Sequence, residues 1–80
     1  MMRVRVLYFA SLRDAAGRDE EVLETTTSSL AQLYDHAREL HGFAFPSGRL
    51  RVARNGAFAC WDEPANDGDE IAFIPPVSGG

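Results

Sequence analysis

The residues with the most chemical promise lie in the stretch "IPPVSGG", Ile74 to Gly80. Two prolines stiffen the exit from an apolar run, because each has a fixed φ and neither can donate to a strand ladder. Four further residues follow, and fully extended they reach roughly 13 Å. Gly79 and Gly80 have no Cβ, so such an arm can pass through a narrow channel and approach a reactive centre closely. The group it would deliver is the carboxylate of Gly80, a poor electrophile until activated, for example as an acyl-adenylate. Once activated, it can accept an amine or a sulfur. A diglycine is also what a linker leaves, so the pair gains meaning only from the domain that precedes it.

Other chemistry is poorly supported. His36 and His41 are five residues apart on a helical pattern, so they lie on different faces with no cysteine near them, and no metal site is expected. Both are read as solvated surface residues. Cys60 is the only cysteine, which excludes an internal disulfide, and it is read as a small apolar strand residue. No serine, histidine and acid form a nucleophile motif, and no glycine-rich loop opens a helix. All eight cations are arginine, so no lysine amine is available for Schiff-base or general-base work. For the same reason no copy of the chain could be joined to this one through a lysine side chain. The formal net charge of −4 disfavours nucleic-acid binding. No stretch is long and apolar enough to span a membrane or serve as a signal peptide, and a reducing cytoplasm is the expected location. The acids of "DEPANDGDE", Asp62 to Glu70, are read as a solvated turn region, and Trp61 as core or a lid on it.

These residues need a scaffold, and 80 residues allow one domain, with 45% hydrophobic and 25% charged residues marking it as globular. Apolar residues alternate with Arg3 and Arg5 in a first strand from Met2 to Ala10. "SLRDAAG" is a turn region with one short helical turn ending at Gly17, and "EEVLE" is a second strand. Leu30, Leu33, Tyr34, Ala37 and Leu40 then share one helical face, with Ser29 and Gln32 as a capping box and Gly42 beyond the end. "LRVAR", "AFACW" and "IAFI" are three more strands, the first two joined by an Asn55–Gly56 hairpin turn. The expected order is β-β-α-β-β-β, an α+β roll with one amphipathic helix on one face of a mixed sheet. The terminal strands should be neighbours, with the apolar last strand central. The domain should span residues 1–76, with 77–80 a flexible tail. By alternation, Leu7, Phe9, Phe58 and Ile74 need not point toward the helix, and Phe9, Phe58 and Ile74 are the candidate outer patch. If their strands are neighbours they form an exposed apolar patch of the kind that meets a protein partner, whereas a slipped register would turn one or two of them inside.

The segment "DGDEIAFIPPVSGG" resembles the C-terminal signature of the ubiquitin-like sulfur carriers that form the small subunit of molybdopterin synthase. "VRVLYFASLRDAAG" is similar to that family's first strand and turn, and "RNGAFACWDEPANDGDE" to its hairpin region. The resemblance covers essentially the whole chain, although from Asp19 to Arg49 it rests mainly on pattern. It implies a ubiquitin-like β-grasp fold and an ATP-dependent activating enzyme that adenylates Gly80. A sulfur donor protein then converts the adenylate to a thiocarboxylate. It further implies that Val77, Ser78, Gly79 and Gly80 thread into the large synthase subunit, which passes the sulfur to a pterin precursor. Gly80 would carry the transferred atom, and Gly79 would keep the approach narrow. Phe9, Phe58 and Ile74, together with Pro75 and Pro76 at the exit, would dock on that subunit in an assembly of two small and two large chains. Catalytic side chains would come from the partner, and this chain would bind no cofactor, ATP being used by the activating enzyme. Ser78 stands where threonine is familiar. A carrier for thiamine or tRNA thiolation, a protein modifier conjugated through Gly80, and a plain adaptor are the competing readings.

Overall fold

The computed structural model describes residues 1–76. Val77, Ser78, Gly79 and Gly80, and with them the expected flexible tail, lie outside the described residues.

Strand β1 (Met2–Tyr8) buries Val4, Val6 and Tyr8 and exposes Arg3 and Arg5, as the alternation requires. It stops two residues short of the expected end. Phe9 becomes the N-cap of helix α1 (Ala10–Ala16), and Ala10 turns the chain with a φ of 49°. The expected single turn is thus a seven-residue helix, so an extra helix stands in the element order. Its alanines and Leu12 favour helix, but a helix this short is marginal alone. The fully buried Leu12 anchors it, and Gly17 closes it in the left-handed conformation.

Strand β2 (Glu20–Thr25) returns antiparallel to β1, with Val4 opposite Leu23 and Val6 opposite Glu21. Helix α2 (Leu30–His41) follows, its first turn held by Ser29, whose hydroxyl oxygen accepts the Gln32 N–H at 3.2 Å. Gln32 reaches back to the N–H of Ser28, one residue earlier than a standard capping box. Two further helix N–H groups, of Leu30 and Ala31, donate to the carbonyls of Glu63 and Trp61 at 2.9 and 3.0 Å. A distant loop thereby satisfies donors that a helix start leaves unpaired. Leu30, Leu33, Tyr34 and Ala37 are buried as expected, but Leu40 is exposed. At about 100° per residue, Leu40 stands roughly 80° from Leu30 whereas His41 stands only about 20° away, so His41 takes the inner position.

A 3-10 turn (Ser47–Arg49) leads to β3 (Arg51–Arg54), β4 (Ala57–Ala59) and β5 (Glu70–Ile74). The sheet order is β2-β1-β5-β3-β4, which puts the apolar last strand in the centre. It runs parallel to β1, with Val6 opposite Ile71, and antiparallel to β3, with Val52 opposite Phe73. The expected neighbours and the α+β class are both observed. Ile71, Phe73 and Val52 face the buried residues of α2, and Tyr34 lies edge-on to Phe73 at 5.0 Å. Trp61 stacks on Phe73 at 6.0 Å, a lid on that core. Cys60 is a correction: β4 ends at Ala59, and Cys60 is exposed beyond it instead of packing within a strand.

The acidic loop is also more than solvated turn. Asp67 accepts the N–H of Arg3 at 2.7 Å, and Glu63 pairs with Arg54 at 3.0 Å. Asn55 joins the hairpin to this loop: its side chain accepts the Glu70 N–H at 2.9 Å and donates to Asp69 at 3.1 Å. Its φ of 52° is the left-handed conformation that the two-residue turn demands. Asn55→Ala should therefore lower the unfolding free energy by about 2–3 kcal/mol, from two lost hydrogen bonds and a strained φ. Asn55→Gly, which keeps the backbone freedom, should cost about 1–2 kcal/mol in the same denaturant titration. Equal losses would show that the side-chain bonds alone matter.

Candidate functional site: the outer sheet face and the chain exit

The face of the sheet opposite α2 is built by register. Glu20, Leu7, Ala72, Ala53 and Phe58 lie side by side across all five strands. The two alanines in the middle give a low floor between Leu7 and Phe58. One step toward the end of β5, Ile74 lies opposite Arg51. Phe58 is 70% exposed, an unusual position for a large apolar ring, and the guanidinium of Arg51 sits over it at 5.7 Å. Phe58 and Ile74 line one groove together with Arg49, Arg51 and the two prolines. Phe9, 45% exposed, lines a separate depression with Leu7 and Arg13. The three expected patch residues thus share a side of the molecule, but only two of them share a groove. Ala10 is the reason: its positive φ bends the chain out of β1, so Phe9 does not continue the strand.

The chain leaves the domain at the same groove. Pro75 is buried and Pro76 exposed, so the backbone reaches the surface between them. Gly79, Gly80, Val77 and Ser78 fall outside the described residues. Arg49 and Arg51 were not singled out from the sequence. Arg49 sits over Phe45 at 5.9 Å, and the register that sets Arg51 opposite Ile74 is the signal that would have found the second.

A second cluster lies on the inner side. Tyr8 donates its hydroxyl hydrogen bond to Glu21, and Nε2 of His41 meets the same carboxylate oxygen at 2.5 Å. Arg18 stands 3.5 Å from the other oxygen. His41 also packs edge-on against Tyr8 at 5.5 Å, so its expected place on the solvated surface is corrected: the ring is held between helix and sheet. Burial by itself pushes the Glu21 carboxyl up, but the bonds from Tyr8 and His41 and the nearby charges of His41 and Arg18 together hold it below 4.5, its ordinary value. Burial, and then the bond to Glu21, push the Tyr8 phenol up from 10.0. A depressed carboxyl stabilises the fold above its ordinary value and loses that effect as pH falls through the folded value. A raised phenol stabilises below its ordinary value and loses the effect as pH rises. Glu21→Gln should thus cost about 1–3 kcal/mol at neutral pH, and the gap to wild type should close in acid. Denaturant unfolding at several pH values checks this, and a gap that widens in acid would refute it.

Among the described residues no three His, Cys, Asp or Glu side chains are grouped to hold a metal, and no helix is long and apolar enough to cross a membrane. The model of the ThiS family matches residues 6–80 of the chain. Over 80 residues the chain is 34% identical to the molybdopterin synthase sulfur carrier subunit of Escherichia coli (strain K12), covering 96% of this chain and 99% of the relative. A solved structure of a putative molybdopterin converting factor, subunit 1, from Pyrococcus furiosus is similar with a TM-score of 0.80 at 30% identity, covering 96% of this chain and all of that one. A chain in the complex of subunits 1 and 2 of the molybdopterin-converting factor from Helicobacter pylori 26695 is similar with a TM-score of 0.67 at 26% identity, covering 99% of this chain and 100% of that one.

Proposed function

We propose, for a chain that belongs to the ThiS family and within it to the molybdopterin synthase sulfur carrier subunits, that Gly80 carries the sulfur. The fold is the ubiquitin-like β-grasp, and the function is that of a sulfur carrier in molybdenum cofactor biosynthesis, working with a large partner subunit. The observation that carries the finer reading is the exit of β5: a central strand ends in a buried and then an exposed proline beside an uncovered apolar groove. Such an exit suits an arm, Val77 to Gly80, that another protein must reach.

An ATP-dependent activating enzyme joins the Gly80 carboxylate to AMP with loss of pyrophosphate. Sulfide-level sulfur released from a sulfur donor protein then attacks the acyl carbon, expels AMP and leaves a thiocarboxylate. The arm, Val77 to Gly80, threads into the large subunit, with Gly79 keeping the approach narrow. There the sulfur passes to the pterin precursor. Phe58, Ile74 and Phe9 dock on the large subunit, and Pro75 and Pro76 fix the direction of the arm. The working assembly holds two small and two large chains, in the cytoplasm. The chain itself binds no cofactor, and its side chains supply no catalytic group.

Intact mass after incubation with the activating enzyme, ATP and a sulfur donor tests this reading. Exchange of one oxygen for one sulfur is the expected result. Covalent ladders on other proteins would support a modifier, and an unchanged mass would support an adaptor.

A further inference from the structure

Six of the eight arginines are engaged inside the molecule. Arg3 pairs with Glu24, Arg5 with Glu70, Arg13 with Asp19, Arg18 with Glu21 and Arg54 with Glu63. Arg38 donates to the carbonyl of Phe43 at 3.1 Å. The other two, Arg49 and Arg51, meet no carboxylate among the described residues and lie in the same groove as Ile74 and Pro76. Each rests over an aromatic ring, of Phe45 and of Phe58, at 5.9 and 5.7 Å. A ring below a guanidinium limits its motion and leaves its edge donors free, so the fork is partly ordered before any partner arrives. This is a local concentration of positive charge on a chain of net charge −4.

We propose that Arg49 and Arg51 form a carboxylate-recognition site that selects the large subunit by an acidic segment beside the opening that admits the arm. This rests on the sulfur-carrier reading above and names what the docking groove reads. The occupant follows from charge. A fixed guanidinium pair matches carboxylates bidentately. It also offsets the repulsion an acidic segment would feel from the rest of this chain. The apolar ring of Phe58 supplies contact area, and the arginines supply discrimination and speed of association.

The test measures pairing with the large subunit encoded by the same genome, over a range of salt concentrations. Arg49→Gln/Arg51→Gln should raise Kd on the order of tenfold or more at low salt and flatten the dependence of Kd on salt. Thermal unfolding of the isolated variant should stay unchanged, and Arg49→Lys/Arg51→Lys should restore much of the salt dependence. Equal Kd and equal salt slopes for wild type and the Gln pair would overturn the proposal. So would tighter binding by the Gln pair, which would mean that the arginines hold the chain's own terminal carboxylate. A lysine pair with the same flat salt dependence as the glutamine pair would also overturn it, since positive charge would then play no part. If wild type does not pair with the large subunit at any salt, the sulfur-carrier reading itself fails, and that result is distinct from all of these.

Discussion

Removal of Gly80 should abolish thiocarboxylate formation and leave the unfolding curve where it was. The variant still ends in a glycine carboxylate, but that carboxylate stops about 3.5 Å short of its former reach. Acyl transfer depends on position so steeply that misplacement by about 1 Å can cost roughly 100-fold, and a whole residue should put the group out of play. Stability should not follow, because the buried apolar core runs from Val4 to Phe73. The expected change is within about 0.5 kcal/mol, as for a substitution away from any packed feature. Mass spectrometry after activation reads the first effect, and thermal unfolding reads the second. Activity lost together with more than about 1 kcal/mol of stability would show that the last residue belongs to the fold, which would refute a delivered arm.

Phe58→Asp should separate pairing from folding. Phe58 is 70% exposed on an edge strand, opposite Ala53, so its removal uncovers little. The new carboxylate also stands near Arg51, which can pair with it. The cost to the fold should be below about 1 kcal/mol. At an interface the same ring would be an anchor, and replacing it with a charge that must be desolvated should cost at least about 2–4 kcal/mol, or about 30- to 1000-fold in Kd. Titration calorimetry with the large subunit measures the loss, and a thermal melt controls for folding. Normal pairing by this variant would remove Phe58 from the docking face.

The elements that could be read from the sequence were those whose signals were local. Helix α2 announced itself through four buried positions with helical spacing and a glycine just past its end. The Asn55–Gly56 turn did so through a dipeptide that tolerates positive φ at both positions. The central place of β5 followed from its being apolar on both faces. Helix α1 was underestimated because only Leu12 among its seven residues is buried, which leaves almost no periodicity to detect. The interior place of His41 was missed because a polar residue was assigned to solvent by type. Its partner Glu21 lies 20 residues away, and only the fold brings them together. The apolar outer face was legible in part. Alternation identified Phe58 and Ile74, but the departure of Phe9 depends on a positive φ at an alanine, which residue type does not signal. Arg49 and Arg51 went unnoticed because eight arginines look alike until their partners are known.

The position of β5 has a mechanical consequence. It is bonded along one side to β1 and along the other to β3, and its axis points toward Pro76. A pull on the chain beyond Pro76, as the proposed threading would exert, is applied along the strand and therefore in shear on both ladders at once. Under shear, several hydrogen bonds must fail together, whereas peeling would break them one at a time. The sheet can therefore bear load applied at Pro76, and an arm that worked as proposed would be drawn in and withdrawn without unravelling β5.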